Sequence, residues 1–260
     1  MNSFLSPALR RFGVAAWCDI RLQWRNGFYA ATAVMLAVMV GLVLQLPVSL
    51  PIVLLPVLVA GNLLITTFYF IAGLVLLERS DGSDAALQVS PLRTTEYLAA
   101  KVATLGILAL AENLLLVRAA FVGEINPGLL IGGILVAAVL YTMVGAVAVA
   151  RYQSLNEYLL PSMVIVSLLT LPLLPAALGW QHPLLLLHPL QPAMSLLRAS
   201  IEPVAAWEIG YAVVAGGGLG DPPNCPTRAF FGPSGGSTSA PGRGGGGGGG
   251  GGGNSPAFPP

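Results

Sequence analysis

The sequence predicts an all-α membrane protein with five spanning helices and the beginning of a sixth, and three observations predict it. Of 260 residues, 55% are hydrophobic and 9% charged, whereas soluble domains carry roughly 25% charged residues. So few charges cannot cover a water-exposed surface. The charges also cluster, leaving uncharged runs at 26–77, 125–150 and 158–197. Each run is long enough for at least one crossing, since a bilayer core of ~30 Å takes about 20 helical residues. The net charge of +1 gives a nucleic-acid partner no electrostatic support.

Residues 1–27 form an amino-terminal interfacial element. Between Ala8 and Arg25 an amphipathic helix is expected, because at ~100° per residue Leu9, Phe12, Ala16, Trp17, Ile20 and Trp24 share one face, opposite Arg10, Arg11, Arg21 and Arg25. Tryptophan at headgroup depth, with arginine facing water and anionic lipid, suits a membrane surface. The alternative is an ordinary surface helix.

The transmembrane domain is expected over 28–215. Its spans are 28–46, then 52–77 after a turn made by Pro47 and Pro51, then 102–122 and 129–150 on either side of a 123–128 turn. The fifth is 158–178, where Pro161, Pro172 and Pro175 favour a kink. Membrane helices tolerate such prolines when neighbours satisfy the freed backbone groups. Residues 179–206 are apolar but interrupted by Pro183, Pro189 and Pro192, which suggests a re-entrant or interfacial segment. A sixth span begins with WEIGYAVVAGGGL at 207–219. The first span lies too deep and runs too long for a cleavable signal peptide, whose apolar region is usually about 7–15 residues.

From residue 216 the chain turns Gly- and Pro-rich, with glycine at every position of 244–253. Such a tail, 216–260, buries no core and is expected to be disordered. Because the change interrupts the sixth span, a shifted reading frame is the expectation, with a genuine Gly-rich tail as the alternative.

Lysine and arginine set the orientation. Arg10, Arg11, Arg21, Arg25, Arg79, Arg93, Lys101 and Arg151 fall on one side, while Arg118 and Arg198 approach the other. The positive-inside bias places the amino terminus and the 78–101 loop in the cytoplasm, in a multi-pass protein of the cytoplasmic membrane.

Two ionisable residues fall inside the third span. At ~1.5 Å per residue from Lys101, Glu112 lies about 16 Å in and Arg118 about 25 Å in. Arg118 can snorkel to the outer surface, but Glu112 has no such escape. It must be neutral, paired or facing a polar cavity, with Asn113 as a polar neighbour.

No metal or cofactor site is expected. Cys18 and Cys225 have no ligand cluster beside them, and His182 and His188, each followed by proline, read as loop punctuation.

The 78–101 loop reads ERSDGSDAALQVSPLRTTEYLAAK: a charged turn at Gly82, a break at Ser90 and Pro91, and a new helix capped near Thr94 or Thr95 that continues through Tyr97 and Lys101 into the membrane. Here the sequence resembles the membrane subunits of type-2 ATP-binding-cassette exporters. Glu78, Gly82, Pro91-Leu92, Tyr97-Leu98 and Lys101 match that family's loop, with Ser83 where threonine is commoner. The run DIRLQWRNGFY at 19–29 and RYQSLNEYLLP at 151–161 are similar to fluoroquinolone-type export permeases of actinobacteria. The resemblance implies a six-helix exporter transmembrane domain whose last helix is here incomplete. It also implies a drug-like or hydrophobic substrate, a separate cassette ATPase docking on the 78–101 loop, and a second permease subunit, identical or paralogous. Glu78, Gly82, Pro91, Leu92, Tyr97 and Lys101 would form the coupling loop, with Glu78 pairing to a basic residue of the partner or of the interfacial helix.

The chain is not itself an ATPase. A phosphate-binding loop ends in Gly-Lys-Ser/Thr, and the one lysine, Lys101, stands between Ala100 and Val102. Asp81-Gly82-Ser83-Asp84-Ala85 begins like a phosphatidyl-alcohol transferase motif, but no further aspartate occurs before Asp221, too few carboxylates for dinuclear metal chemistry. A secondary transporter or a non-transporting membrane scaffold is the remaining alternative.

Overall fold

The computed structural model describes residues 7–46, 50–82, 93–121, 123–172, 187–204 and 206–218. As predicted, these are helices joined by turns, with no strand among the described residues. Helix α1, Pro7–Arg25, meets α2, Phe28–Leu44, at a 64° bend. Gly27 makes that bend with a φ of 75°, a left-handed conformation that glycine adopts without steric cost.

The second span is continuous but not uniform. It comprises α3, Leu50–Leu63, a π-helical turn, Leu64–Tyr69, and α4, Phe70–Ser80. A π turn loosens the ordinary backbone ladder, and threonine hydroxyls serve the carbonyls there: Thr66 Oγ1 reaches Asn62 O at 3.1 Å and Thr67 Oγ1 reaches Leu63 O at 2.6 Å.

Helix α5, Thr94–Ala120, is the third span. Its cap is Arg93, one residue before the expected threonines, and the Arg93 backbone N–H donates to the carboxylate of Glu96 at 3.1 Å. Helix α6, Pro127–Val149, is the fourth. Asn126 Oδ1 caps it by accepting from the backbone of Gly128 at 3.1 Å and Leu129 at 3.4 Å, with proline at the first helical position. Helices α7, Leu155–Thr170, α8, Gln191–Ala199, and α9, Ala206–Gly218, complete the described chain.

Helix α6 is the centre of the bundle, packed by α3, the π turn, α4, α5 and α8. Its apolar surface meets a core that includes Leu63, Phe68, Ile71, Leu74, Leu105, Ile134, Tyr141 and Leu197. At the charged end, Arg79 closes the helix: its guanidinium donates to the carbonyls of Val149 and Ala150, both at 3.2 Å, and of Tyr152. A cation there satisfies carbonyls that lack helical partners and opposes the negative end of the helix dipole.

Among the described residues, three helices are long and apolar enough to cross a membrane alone: Leu54–Ser80, Thr94–Ala119 and Pro127–Val149. The expected first span, 28–46, is the 17-residue α2, and the expected fifth is the 16-residue α7, whose remainder from 173 lies outside the described residues. The helix that carries the expected 102–122 span starts at Thr94, next to the threonines where its cap is expected, and Glu96, Tyr97 and Lys101 in its first turns all have internal partners. Within the proline-rich 179–206 segment, α8 is a buried helix against α6 and α9.

Candidate coupling site at the charged end of the bundle

Helix α1 lies along the start of α5, and the face it presents is not the arginine face as a whole but a stripe at helical spacing, with Asp19 and Gln23 buried and Arg11 half-buried. Leu9, Val14, Trp17, Ile20 and Trp24 remain exposed, an apolar surface on the outside of the bundle. Arg11 pairs in two-pronged fashion with Glu96, Nη2 to Oε1 at 2.8 Å and Nε to Oε2 at 3.0 Å. Arg25 approaches Asp81 at 3.5 Å on the surface.

Between these contacts sits a buried ionic cluster. Lys101 is 0% exposed; its Nζ donates to Asp19 Oδ1 at 2.8 Å and to Glu78 Oε1 at 2.7 Å. The Tyr97 hydroxyl donates to Glu78 Oε2, and Lys101 Nζ stands 4.7 Å from the centre of the Tyr97 ring, an additional cation–π attraction. One turn deeper, Gln23 Nε2 donates to Thr104 Oγ1 at 3.2 Å. Two carboxylates thus share one ammonium. Burial pushes the Asp19 carboxyl above its ordinary range, against the opposing pull of Lys101.

The cluster joins three chain segments: α1, the end of the second span and the start of the third. Three of the six loop residues singled out in the sequence, Glu78, Tyr97 and Lys101, are brought together in it. Glu78 pairs with Lys101 of the third span, not with an arginine of the interfacial helix. Gly82 stands apart, in a left-handed conformation with φ 70° and open space around its α-carbon; Pro91 and Leu92 lie outside the described residues. Asp19, Gln23 and Thr104 were not legible as site residues, since each acquires meaning only from a partner about 80 residues away. A signal did exist: an Asp and a Gln four residues apart on a helix otherwise divided between arginine and apolar residues.

Glu112 belongs to a second polar group, enclosed by α3, the π turn and α5. It is 2% exposed, and its Oε2 accepts from the Thr66 hydroxyl at 2.6 Å. Beside it, Asn62 Nδ2 donates to Asn113 Oδ1 at 3.3 Å. Arg118, by contrast, is exposed at the far end of α5. His188 Nδ1 accepts from the Leu190 backbone at 3.3 Å at the start of α8. Among the described residues no group of three or more His, Cys, Asp or Glu side chains is placed to hold a metal.

Comparison with known proteins gives a consistent picture. Residues 10–216 match the model of the fluoroquinolones export permease protein family. The chain is also 32% identical, over 215 residues, to the fluoroquinolones export permease protein of Mycobacterium tuberculosis in strains CDC 1551 / Oshkosh and H37Rv, covering 81% of this chain and 87% of each relative. No solved structure matches. The matched region takes in every described helix except the first residues of α1 and the last of α9.

Proposed function

The chain belongs to the fluoroquinolones export permease protein family, and from that premise we propose that it is the transmembrane permease subunit of an ATP-driven exporter working with a separate ATPase subunit. The observation that carries the reading is the family match across the helical bundle. The mycobacterial relatives are named for fluoroquinolone export, so planar aromatic, drug-like molecules are the first candidate substrates here.

In this reading α1 and the loop after the second span form the face toward the ATPase. Glu78, Tyr97 and Lys101 act as positioning residues: they anchor the two ends of that loop to α1, while Gly82, Pro91 and Leu92 shape the part that touches the partner. Motion of the loop then reaches the second and third spans together, because one ammonium holds both and α1. A second permease subunit, a copy or a paralogue, completes the pathway, and the exposed Leu160, Val164 and Leu168 of α7 offer an apolar face to it or to lipid.

The test is reconstitution in lipid vesicles with a cassette ATPase, sought first in the reading frames that flank the gene. Fluoroquinolone-stimulated ATP turnover and ATP-dependent drug movement are the expected results. Movement driven by an ion gradient without the ATPase would favour a secondary transporter, and no movement under either condition a scaffold.

The orientation has its own test. With the amino terminus and Arg93 cytoplasmic and the 123–128 turn external, a cysteine replacing Asn126 should react with an impermeant thiol reagent on intact cells, and one replacing Arg93 should react only after lysis. The native Cys18, which is exposed, and Cys225 are both replaced by serine first. Labelling at Arg93 alone on intact cells reverses the topology.

A further inference from the structure

Two buried acceptors in the polar group around Glu112 have no donor, and the backbone fixes how they are turned. The Ala109 carbonyl accepts from Asn113 Nδ2 at 2.8 Å, which orients that amide and leaves Asn113 Oδ1 to accept from Asn62 Nδ2 at 3.3 Å. Asn62 is thereby turned so that its Oδ1 has no donor; Glu112 Oε1 has none either. Asn62 is 1% exposed, and Thr66, whose hydroxyl reaches both the Asn62 carbonyl at 3.1 Å and Glu112 Oε2 at 2.6 Å, sets the two residues side by side. Both orphaned atoms are acceptors, and a buried acceptor without a donor is rare in folded proteins. Thr66 cannot supply the hydrogen, because its single O–H is already shared between Glu112 Oε2 and the Asn62 carbonyl.

Nor, among the described residues, does a cation answer the carboxyl. Helices α2, α3 and α6 and the π turn carry no Asp, Glu, Lys or Arg, only the phenols Tyr29, Tyr69 and Tyr141. On α1, Arg11 engages Glu96, Arg25 approaches Asp81, and Asp19 shares Lys101 with Glu78 of α4, while Arg10 and Arg21 lie at the charged end with them. Arg79 of α4 binds the end of α6. Along α5 itself, Lys101 lies about 16 Å from Glu112 and Arg118 about 9 Å, the latter turned roughly 120° around the axis.

We propose that Glu112, Asn62, Thr66 and Asn113 form a proton-binding site inside the bundle, in which a proton on Glu112 Oε1 is donated to Asn62 Oδ1. One hydrogen satisfies both orphaned atoms and removes a charge that has no counter-ion among the described residues, at a depth where charge is costly. The neutral acid then joins the third span to the second at the π turn, through Thr66 within it and Asn62 just before it. The proposal does not depend on the export reading.

Infrared difference spectra of the purified protein in lipid nanodiscs test it, wild type against Glu112→Gln. The carbonyl stretch of a protonated carboxylic acid is expected in the wild type at neutral and mildly alkaline pH and is expected to vanish in Glu112→Gln. Asn62→Ala should move that band to the higher frequency of an acid without an acceptor. Glutamine replaces the O–H by an N–H, so the Glu112→Gln melting temperature should stay within a few degrees of the wild type. Absence of the band in the wild type overturns the proposal, as does a band that Asn62→Ala leaves unmoved. A melting temperature raised by sodium but not by choline, and lost in Glu112→Gln, overturns it in favour of a metal cation. If Glu112→Gln does not fold, the wild-type band and its Asn62→Ala shift still decide.

Discussion

Lys101→Ala is expected to destabilise the protein by about 3–5 kcal/mol, the usual consequence of removing one partner from a buried ion pair. The reason lies in what remains. Without the ammonium, the Asp19 and Glu78 carboxylates are left in a buried site with no cation between them, and the Tyr97 ring loses the charge above it. Arg25→Ala provides the contrast, because the Arg25–Asp81 pair spans 3.5 Å with both side chains substantially exposed and should contribute less than about 1 kcal/mol. Thermal unfolding of the purified variants in one detergent measures both. Equal effects would remove the distinction between the buried cluster and an ordinary surface pair.

A triple replacement separates stability from coupling. Asp19→Leu, Glu78→Gln and Lys101→Met together remove every charge of the cluster, and replacing a whole buried ionic group by apolar or neutral side chains is often neutral for stability. Its melting temperature should recover most of what Lys101→Ala loses. Export should not recover, if the cluster carries motion from the ATPase-facing loop to the spans. A triple variant that transports at the wild-type rate would reduce the cluster to structural glue.

What the sequence made legible follows from the range of the interactions involved. Periodicity reports on a helix and its immediate surroundings, so α1, the apolar spans and the capped start of α5 near Thr94 could be read directly. The Asn126 cap and Pro127 at the start of α6 are equally local. Partnership across the bundle is a different matter: Asp19 to Lys101, Gln23 to Thr104 and Arg11 to Glu96 each join residues about 80 apart, and nothing in a linear pattern brings them together. Glu112 was visible because a carboxyl in an apolar run is anomalous wherever it packs. Its partners Asn62 and Thr66 were not, since single polar residues in a long span look like ordinary tolerance. The π turn was equally hidden, because LITTFY reads as plain helix until its hydroxyls are seen returning to the backbone.

Gly145→Val is expected to cost about 3 kcal/mol, at the upper end of the usual range for overpacking a close contact. At Gly145 α6 passes close to the second span: a β-carbon there would stand 2.7 Å from Ile71 Cγ2 and 2.8 Å from the Phe68 carbonyl oxygen. The side chain of Ile71 can rotate, but the Phe68 carbonyl belongs to the backbone of the π turn and cannot yield without moving the helix. Separation at that point would loosen α4 from α6 and with it the Arg79 contacts that close α6. Export should therefore fall together with stability, even though Gly145 touches neither the ionic cluster nor Glu112. Gly41→Ala is the control, because a β-carbon at Gly41 meets nothing within 4 Å; alanine at an open helical position should shift stability by less than about 1 kcal/mol, in the stabilising direction. Melting temperature and vesicle transport would be measured for both variants. A Gly145→Val protein as stable and active as Gly41→Ala would mean that the π turn yields to the new side chain, and that the approach of α6 to the second span is not what holds them together.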